Sequence, residues 1–158
     1  MEIHNIPPVF DKDSRILILG SFPSVKSRET EFFYGHPQNR FWKVTSAVFG
    51  CKTPLTIPEK HDFLLKNHIA VWDVIARCDI ENSADSTIKN VVPNDLGIIL
   101  CTADIKEIFV NGRTAEKYYN KYILPLNGRR AVCLPSTSPA NAAKSLDDLI
   151  ESWKVIKL

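Results

Sequence analysis

A chain of 158 residues, 44% hydrophobic and 24% charged, has the make-up of one folded domain with a proper core and is too short for two. A formal net charge of +2 supplies no global field for nucleic acid, so any basic surface has to be local. Cys51, Cys78, Cys101 and Cys133 form no Cys-x-x-Cys or Cys/His ligand spacing, which argues against zinc and iron–sulfur sites and fits a reducing compartment; no apolar run suits a signal peptide or a membrane span, so a cytosolic protein is expected.

Residues 1–14 are polar and proline-containing and read as a lead-in segment. Ile16-Leu17-Ile18-Leu19 is a short continuous apolar run, the pattern of a strand covered on both faces. It stops at Gly20, and Ser21-Phe22-Pro23-Ser24 makes a turn. The dense cluster Tyr34-Gly35-His36-Pro37-Gln38-Asn39-Arg40-Phe41-Trp42 comes next, too rich in aromatic, amide, His and Arg side chains to be explained by packing alone. Helical spacing runs from Asn39 to Phe49, and a second helix from Pro58 to Lys66. Ile69 to Val74 reads as a second buried strand. Cys78 to Asn94 is polar, shows little periodicity and reads as a long loop; Asp95 to Leu100 is a short helix or turn.

Glu107 to Asn111 is a third strand, with Gly112 turning into a helix over Thr114–Tyr122. Arg130 to Leu134 is a fourth, followed by Pro135-Ser136-Thr137-Ser138-Pro139 and a final helix from Ala140 through Ile150. Strands alternating with helices imply an α/β fold, three layers αβα, around a central, mostly parallel four-stranded sheet, with residues 1–158 as a single domain. In a parallel sheet the ends at Gly20–Ser24, Asp73 and Leu134–Ser138 lie along one edge, where open α/β sheets bind their ligands. One cleft is expected there.

GSFPS, YGHPQNRFW and LPSTSPAN, in this order, resemble the uracil-DNA glycosylase superfamily over roughly Ile16 to Trp153. HPxNRFW is similar to its mismatch-specific G:T/U branch. The three motifs together most resemble its hypoxanthine-DNA (deoxyinosine) glycosylase branch. The resemblance implies a monofunctional glycosylase that flips a deaminated base, hypoxanthine and also uracil, out of DNA and hydrolyses its bond to the sugar without a cofactor or metal. It implies damaged DNA as the partner, no membrane, and a monomer. Phe22 stands where classical members carry a first-motif Asp or Asn, so the catalytic role moves to Asn39, whose amide would position water. As an isolated feature, Asn39 would read as the N-cap of the adjoining helix.

Base binding is expected of Ser21 and Phe22 (backbone N–H groups, with the ring as a pocket wall), of Tyr34 by stacking, and of Asp73 as acceptor for the N1–H of hypoxanthine or the N3–H of uracil. DNA contact is expected of Ser24, His36, Ser136, Thr137 and Ser138, and of Arg40, for which bracing the site is the competing role. Asn111 reads as a strand-end residue bonding a turn. Ala140 falls near the place of the bulky duplex wedge, which it is too small to supply. A mismatch-specific uracil/thymine glycosylase and a catalytically silent lesion-DNA reader are the alternative functions.

Overall fold

The apolar runs of the sequence become the buried strands of the structure, a computed structural model that describes residues 1–3 and 6–158; His4 and Asn5, within the expected lead-in, lie outside the described residues. In chain order the elements are β1 (Glu2–Ile3), β2 (Ile16–Gly20), α1 (Val25–Thr30), α2 (Phe41–Val48), α3 (Ile57–Lys66), β3 (Ile69–Asp73), β4 (Ile75–Asp79) and β5 (Lys89–Pro93). They continue with α4 (Gly97–Leu100), β6 (Glu107–Asn111), α5 (Arg113–Tyr118), α6 (Leu124–Asn127), β7 (Val132–Leu134) and α7 (Leu146–Trp153). Strands β2, inside the main sheet, and β3, at its edge, are buried along their whole length, as apolar runs covered on both faces must be.

The main sheet has the order β3-β2-β6-β7 and every pairing in it is parallel. Helices flank it, so the expected three-layer αβα architecture with a four-stranded sheet is the observed one. The register sets where the strands stop. Gly20 pairs with Asp73, Asn111 pairs with Leu134, and Leu19 pairs with Val110, so Gly20, Asp73, Asn111 and Leu134 end level at one edge.

Helix starts are set by side-chain caps. Ser24 accepts from Ser27 N–H at the head of α1, and Thr56 accepts from Glu59 N–H at the head of α3, with proline in the first turn. Ser145 and Asp148 form a reciprocal capping box at α7. Helix α2 is held inside by Phe41, Trp42 and Val44, and Trp153 of α7 meets Phe41 edge-on with ring centres 5.9 Å apart.

The stretch Cys78–Asn94, expected as a loop, is instead largely strand. β4 and β5 pair antiparallel, joined through a 3₁₀ turn at Asp85–Thr87, and β1 adds to β4 from the other side. Only Ile75, Cys78 and Ile88 of this hairpin are buried hydrophobics, and register shifts interrupt the ladder, so no regular alternation marks the sequence. The lead-in is not a free end either: Val9 exchanges backbone hydrogen bonds with Val71 and covers the open edge of β3.

Three boundaries also move. The last helix begins at Leu146, because Ala140 to Lys144 form turns and the cap stands at Ser145. The helix expected over Thr114–Tyr122 ends as α5 at Tyr118 and widens into a π-helical segment, Tyr119–Ile123, ahead of Pro125, which has no N–H to continue a regular ladder. The fourth strand is shortened to Val132–Leu134. Among the described residues no helix is long and apolar enough to cross a membrane.

Candidate active site

The level strand ends open into a cleft of about 290 Å³. Its floor is Gly20, Asp73, Tyr34 and Asn111; the turn Ser21–Ser24 and the segment Ser136–Ser138 form two sides, and Asn39 lines it as well. Ile80, Ser83, Ala84 and Asp85, from the hairpin that replaces the expected loop, supply the outer wall. That wall is tied to the first motif: Val25 N–H donates to Ser83 Oγ at 3.0 Å, and the Arg28 guanidinium donates to Asn82 O at 2.7 Å while lying 5.4 Å over the Phe22 ring. Asp85 is exposed at the rim, and partial desolvation of its carboxyl moves it upward, a hydrogen bond with Thr114 opposing the shift.

Glycine at position 20 is a steric requirement. A Cβ there would collide with Asp73 Oδ1 and stand 3.2 Å from Tyr34 Oη. The missing side chain is what lets a carboxylate and a phenol share the end of β2. Asp73 is only 4% exposed, and its carbonyl accepts from Asn94 Nδ2 at 2.9 Å, which fixes the strand end.

Asn39 is held by an ordered relay. Its Oδ1 accepts from Phe41 N–H and from the Thr137 hydroxyl, both at 2.9 Å. Thr137 Oγ1 in turn accepts from Asn111 Nδ2 at 2.9 Å, and Thr137 N–H donates to Asn111 Oδ1 at 3.1 Å. A backbone N–H can only donate, so Phe41 and Thr137 settle which end of each amide is oxygen. Asn39 thus stands one residue ahead of Arg40, the N-cap of α2, where its Oδ1 accepts the first helical N–H in a tight side-chain turn, and it lines the cleft as well.

Tyr34 is the strained member. Its φ is 51°, a left-handed conformation that a bulky aromatic adopts at a cost of about 1–3 kcal/mol. Three contacts hold it there: Trp42 Nε1–H donates to Tyr34 O at 3.2 Å, Gly35 N–H donates to Ser27 Oγ at 2.9 Å, and the ring stacks on Phe41 with centres 4.0 Å apart. Its Oη is sealed from solvent and makes no hydrogen bond of regular geometry among the described residues, although the Asn111 amide approaches it as a donor. Burial first, then the neighbouring Asp73 charge, pushes the phenol far above its ordinary range, with the Asn111 amide acting in the opposite direction.

The remaining expected residues divide. Ser21, Phe22, Ser24, Ser136 and Ser138 line the cleft with Asn39, Tyr34 and Asp73. Ser24 is occupied as the cap of α1, while Ser136 and Ser138 accept from Ser138 N–H and Ala140 N–H in two successive tight turns. Thr137, expected at the DNA, is fully buried, with its hydroxyl, N–H and carbonyl all bonded inside the protein. Arg40 takes the bracing role, donating to the carbonyls of Ser138, Asn141 and Lys144. His36 lies off the cleft and accepts from Gln38 N–H at 3.1 Å. Ala140 sits exposed on the rim. Sequence reading missed the hairpin wall; it had Asn111 bonding a turn from its strand end, as observed, without seeing that the turn residue it bonds, Thr137, also holds Asn39, and its one signal was a polar amide ending an apolar strand.

Comparison with known proteins agrees over nearly the whole chain. A family model for the uracil DNA glycosylase superfamily matches residues 7–157. A protein named hypoxanthine DNA glycosylase from Methanosarcina barkeri is 32% identical over 155 residues, covering 97% of this chain and 96% of its own length. One of the same name from Methanosarcina acetivorans is 36% identical over 137 residues, covering 85% of each. The solution NMR structure of a candidate uracil DNA glycosylase from Methanosarcina acetivorans superposes with a TM-score of 0.80 at 30% identity, covering 97% of both chains.

Proposed function

The chain belongs to the uracil DNA glycosylase superfamily, and from that premise we propose that it is a monofunctional DNA glycosylase that hydrolyses the N-glycosidic bond of deaminated bases, hypoxanthine first and uracil second. The observation that carries this reading is the cleft itself. At about 290 Å³ it lies at the small end of ligand pockets, suited to one flipped nucleotide rather than a larger cofactor, and it gathers an amide, a carboxylate and an aromatic ring at one sheet edge.

Each residue has a part in that reaction. Asp73, at the floor, accepts the N1–H of hypoxanthine or the N3–H of uracil, a proton that adenine and cytosine lack. The Tyr34 ring, backed by Phe41, forms an aromatic wall for the base. Phe22 offers no polar atom from its side chain, so the chemistry falls to Asn39. Ser136 and Ser138 present hydroxyl groups at the rim for DNA phosphates. The names of the Methanosarcina relatives support hypoxanthine as the leading substrate. The protein works on damaged DNA in base excision repair, as a monomer in the cytosol, with residues 1–158 acting as one domain and without a metal or organic cofactor.

The test is base release from matched oligonucleotides carrying deoxyinosine, deoxyuridine, a G:T mismatch or normal bases, followed by alkaline cleavage at abasic sites. Release led by deoxyinosine is expected. Thymine-led release from G:T would move the protein to the mismatch branch, and tight binding with no release from any substrate would make it a lesion reader. Asp73→Asn should lower the preference for deoxyinosine over deoxyadenosine about tenfold or more, because the acceptor edge becomes ambiguous.

A further inference from the structure

The sequence suggests that the Asn39 amide positions water. Water poised for attack is best held by an acceptor, which takes one of its protons and leaves an oxygen lone pair facing the sugar. Asn39 Oδ1 has no capacity left for this: an amide oxygen has two lone pairs, and both are taken, by Phe41 N–H and by Thr137 Oγ1. Rotating the amide would set its NH₂ against the Phe41 N–H, donor against donor. No described hydrogen bond engages Nδ2, and Asn39 lines the cleft.

We propose that Asn39 acts through its Nδ2 hydrogens, as a donor to the departing base, with Thr137 as the positioning residue that holds the amide in that polarity. This rests on the glycosylase reading and deepens it. In the reaction the C1′–N bond breaks and leaves its electron pair on the base; water oxygen bonds to C1′, and the proton that water sheds ends on the base. Negative charge therefore develops on the base before it is protonated, and a preorganised N–H aimed at it lowers the barrier. The buried Thr137–Asn111 bonds keep the donor aimed without reorganisation during the reaction.

The experiment is single-turnover release of hypoxanthine by the wild type, Asn39→Ala, Asn39→Asp, Thr137→Val and Thr137→Ser, with DNA affinity measured in parallel. Asn39→Asp keeps the acceptor that Phe41 N–H and the Thr137 hydroxyl bond and loses both N–H groups, so it should fold while falling at pH 8 at least as far as Asn39→Ala, about 100-fold or more. Lowering the pH should restore part of its rate as the introduced carboxyl gains a proton. Asp73, Asp85 and Tyr34, the other titratable groups lining the cleft, are common to all five proteins. Thr137→Val should lose about tenfold in rate with DNA affinity kept, and Thr137→Ser should rescue it.

An Asn39→Asp rate within tenfold of the wild type, rising with pH, would overturn the donor role and restore water activation. Equal rates for Thr137→Val and the wild type would overturn the positioning role. A wild type that releases no hypoxanthine would refute the glycosylase reading itself, and the donor role with it.

Discussion

The two sides of the cleft are built on opposite principles. On the Asn39 side every polar atom of Thr137 is paired, and two backbone N–H groups dictate the orientation of two amides. On the Tyr34 side a bulky residue sits in a left-handed conformation with a sealed hydroxyl that finds no partner among the described residues. The first side holds one geometry and leaves only the Asn39 Nδ2 hydrogens without a described partner. The second retains an unmet hydrogen bond and a strained backbone, the features that folding alone would remove. The contrast separates the part of the site that fixes an amide from the part that stores strain.

Substitutions can break this contrast. The largest effect is expected from Asn39→Ala, which removes the amide proposed to donate to the departing base and should lower single-turnover base release about 10²–10³-fold. Loss of the Oδ1 bonds to Phe41 N–H and the Thr137 hydroxyl should lower stability by about 1 kcal/mol in a denaturation curve. Gly20→Ala comes next. It drives a Cβ into Asp73 Oδ1 and toward Tyr34 Oη, and should displace both, lowering release by about 10–100-fold and the melting temperature by several degrees. An active, fully stable Gly20→Ala would show that the floor is looser than its contacts imply.

Asn111→Ala tests the satisfied side from a distance. It strips partners from the N–H and hydroxyl of Thr137, which should lower stability by about 1–3 kcal/mol and loosen Asn39, with release down about tenfold. Tyr34→Phe is the smallest change and the sharpest. Deleting an unpaired buried hydroxyl should leave stability unchanged or raise it by up to about 1 kcal/mol, the reverse of the Asn111 result. The Tyr34 phenol is held above its ordinary range, so the folded state keeps a proton that the unfolded chain releases above about pH 10. The wild type should then lose stability with rising pH faster than Tyr34→Phe, by at most about 1.4 kcal/mol per pH unit. Parallel stability curves above pH 10 would show that the hydroxyl is not shielded.

Much of this was legible in residue order. The apolar run Ile16–Leu19, ending at a glycine, reads as a central strand because a strand covered on both faces has no reason to alternate. Asp73 was legible for a related cause: a carboxylate directly after an apolar run marks a strand end, and parallel strands bring their ends together. The β4–β5 hairpin was hidden, since a half-solvated edge ladder with shifted register resembles a polar loop. Thr137 was misplaced for a different cause. A Ser-Thr-Ser run reads as three equivalent hydroxyls, yet its middle member points inward and bonds to residues 26 and 98 positions away.

Local patterns and motif order therefore determined the four strands of the main sheet, and that Asn39, Tyr34 and Asp73 gather at one edge of it. Those properties arise from hydrophobic period, turn chemistry and motif order, which neighbouring residues set among themselves. Only the tertiary structure decided which end of the Asn39 amide faces the cleft, that Thr137 and Asn111 hold it there, and that Gly20 makes room for Asp73 beside Tyr34. Each of these depends on hydrogen bonds and close approaches between distant segments, and those exist only once the sheet has put its strand ends level.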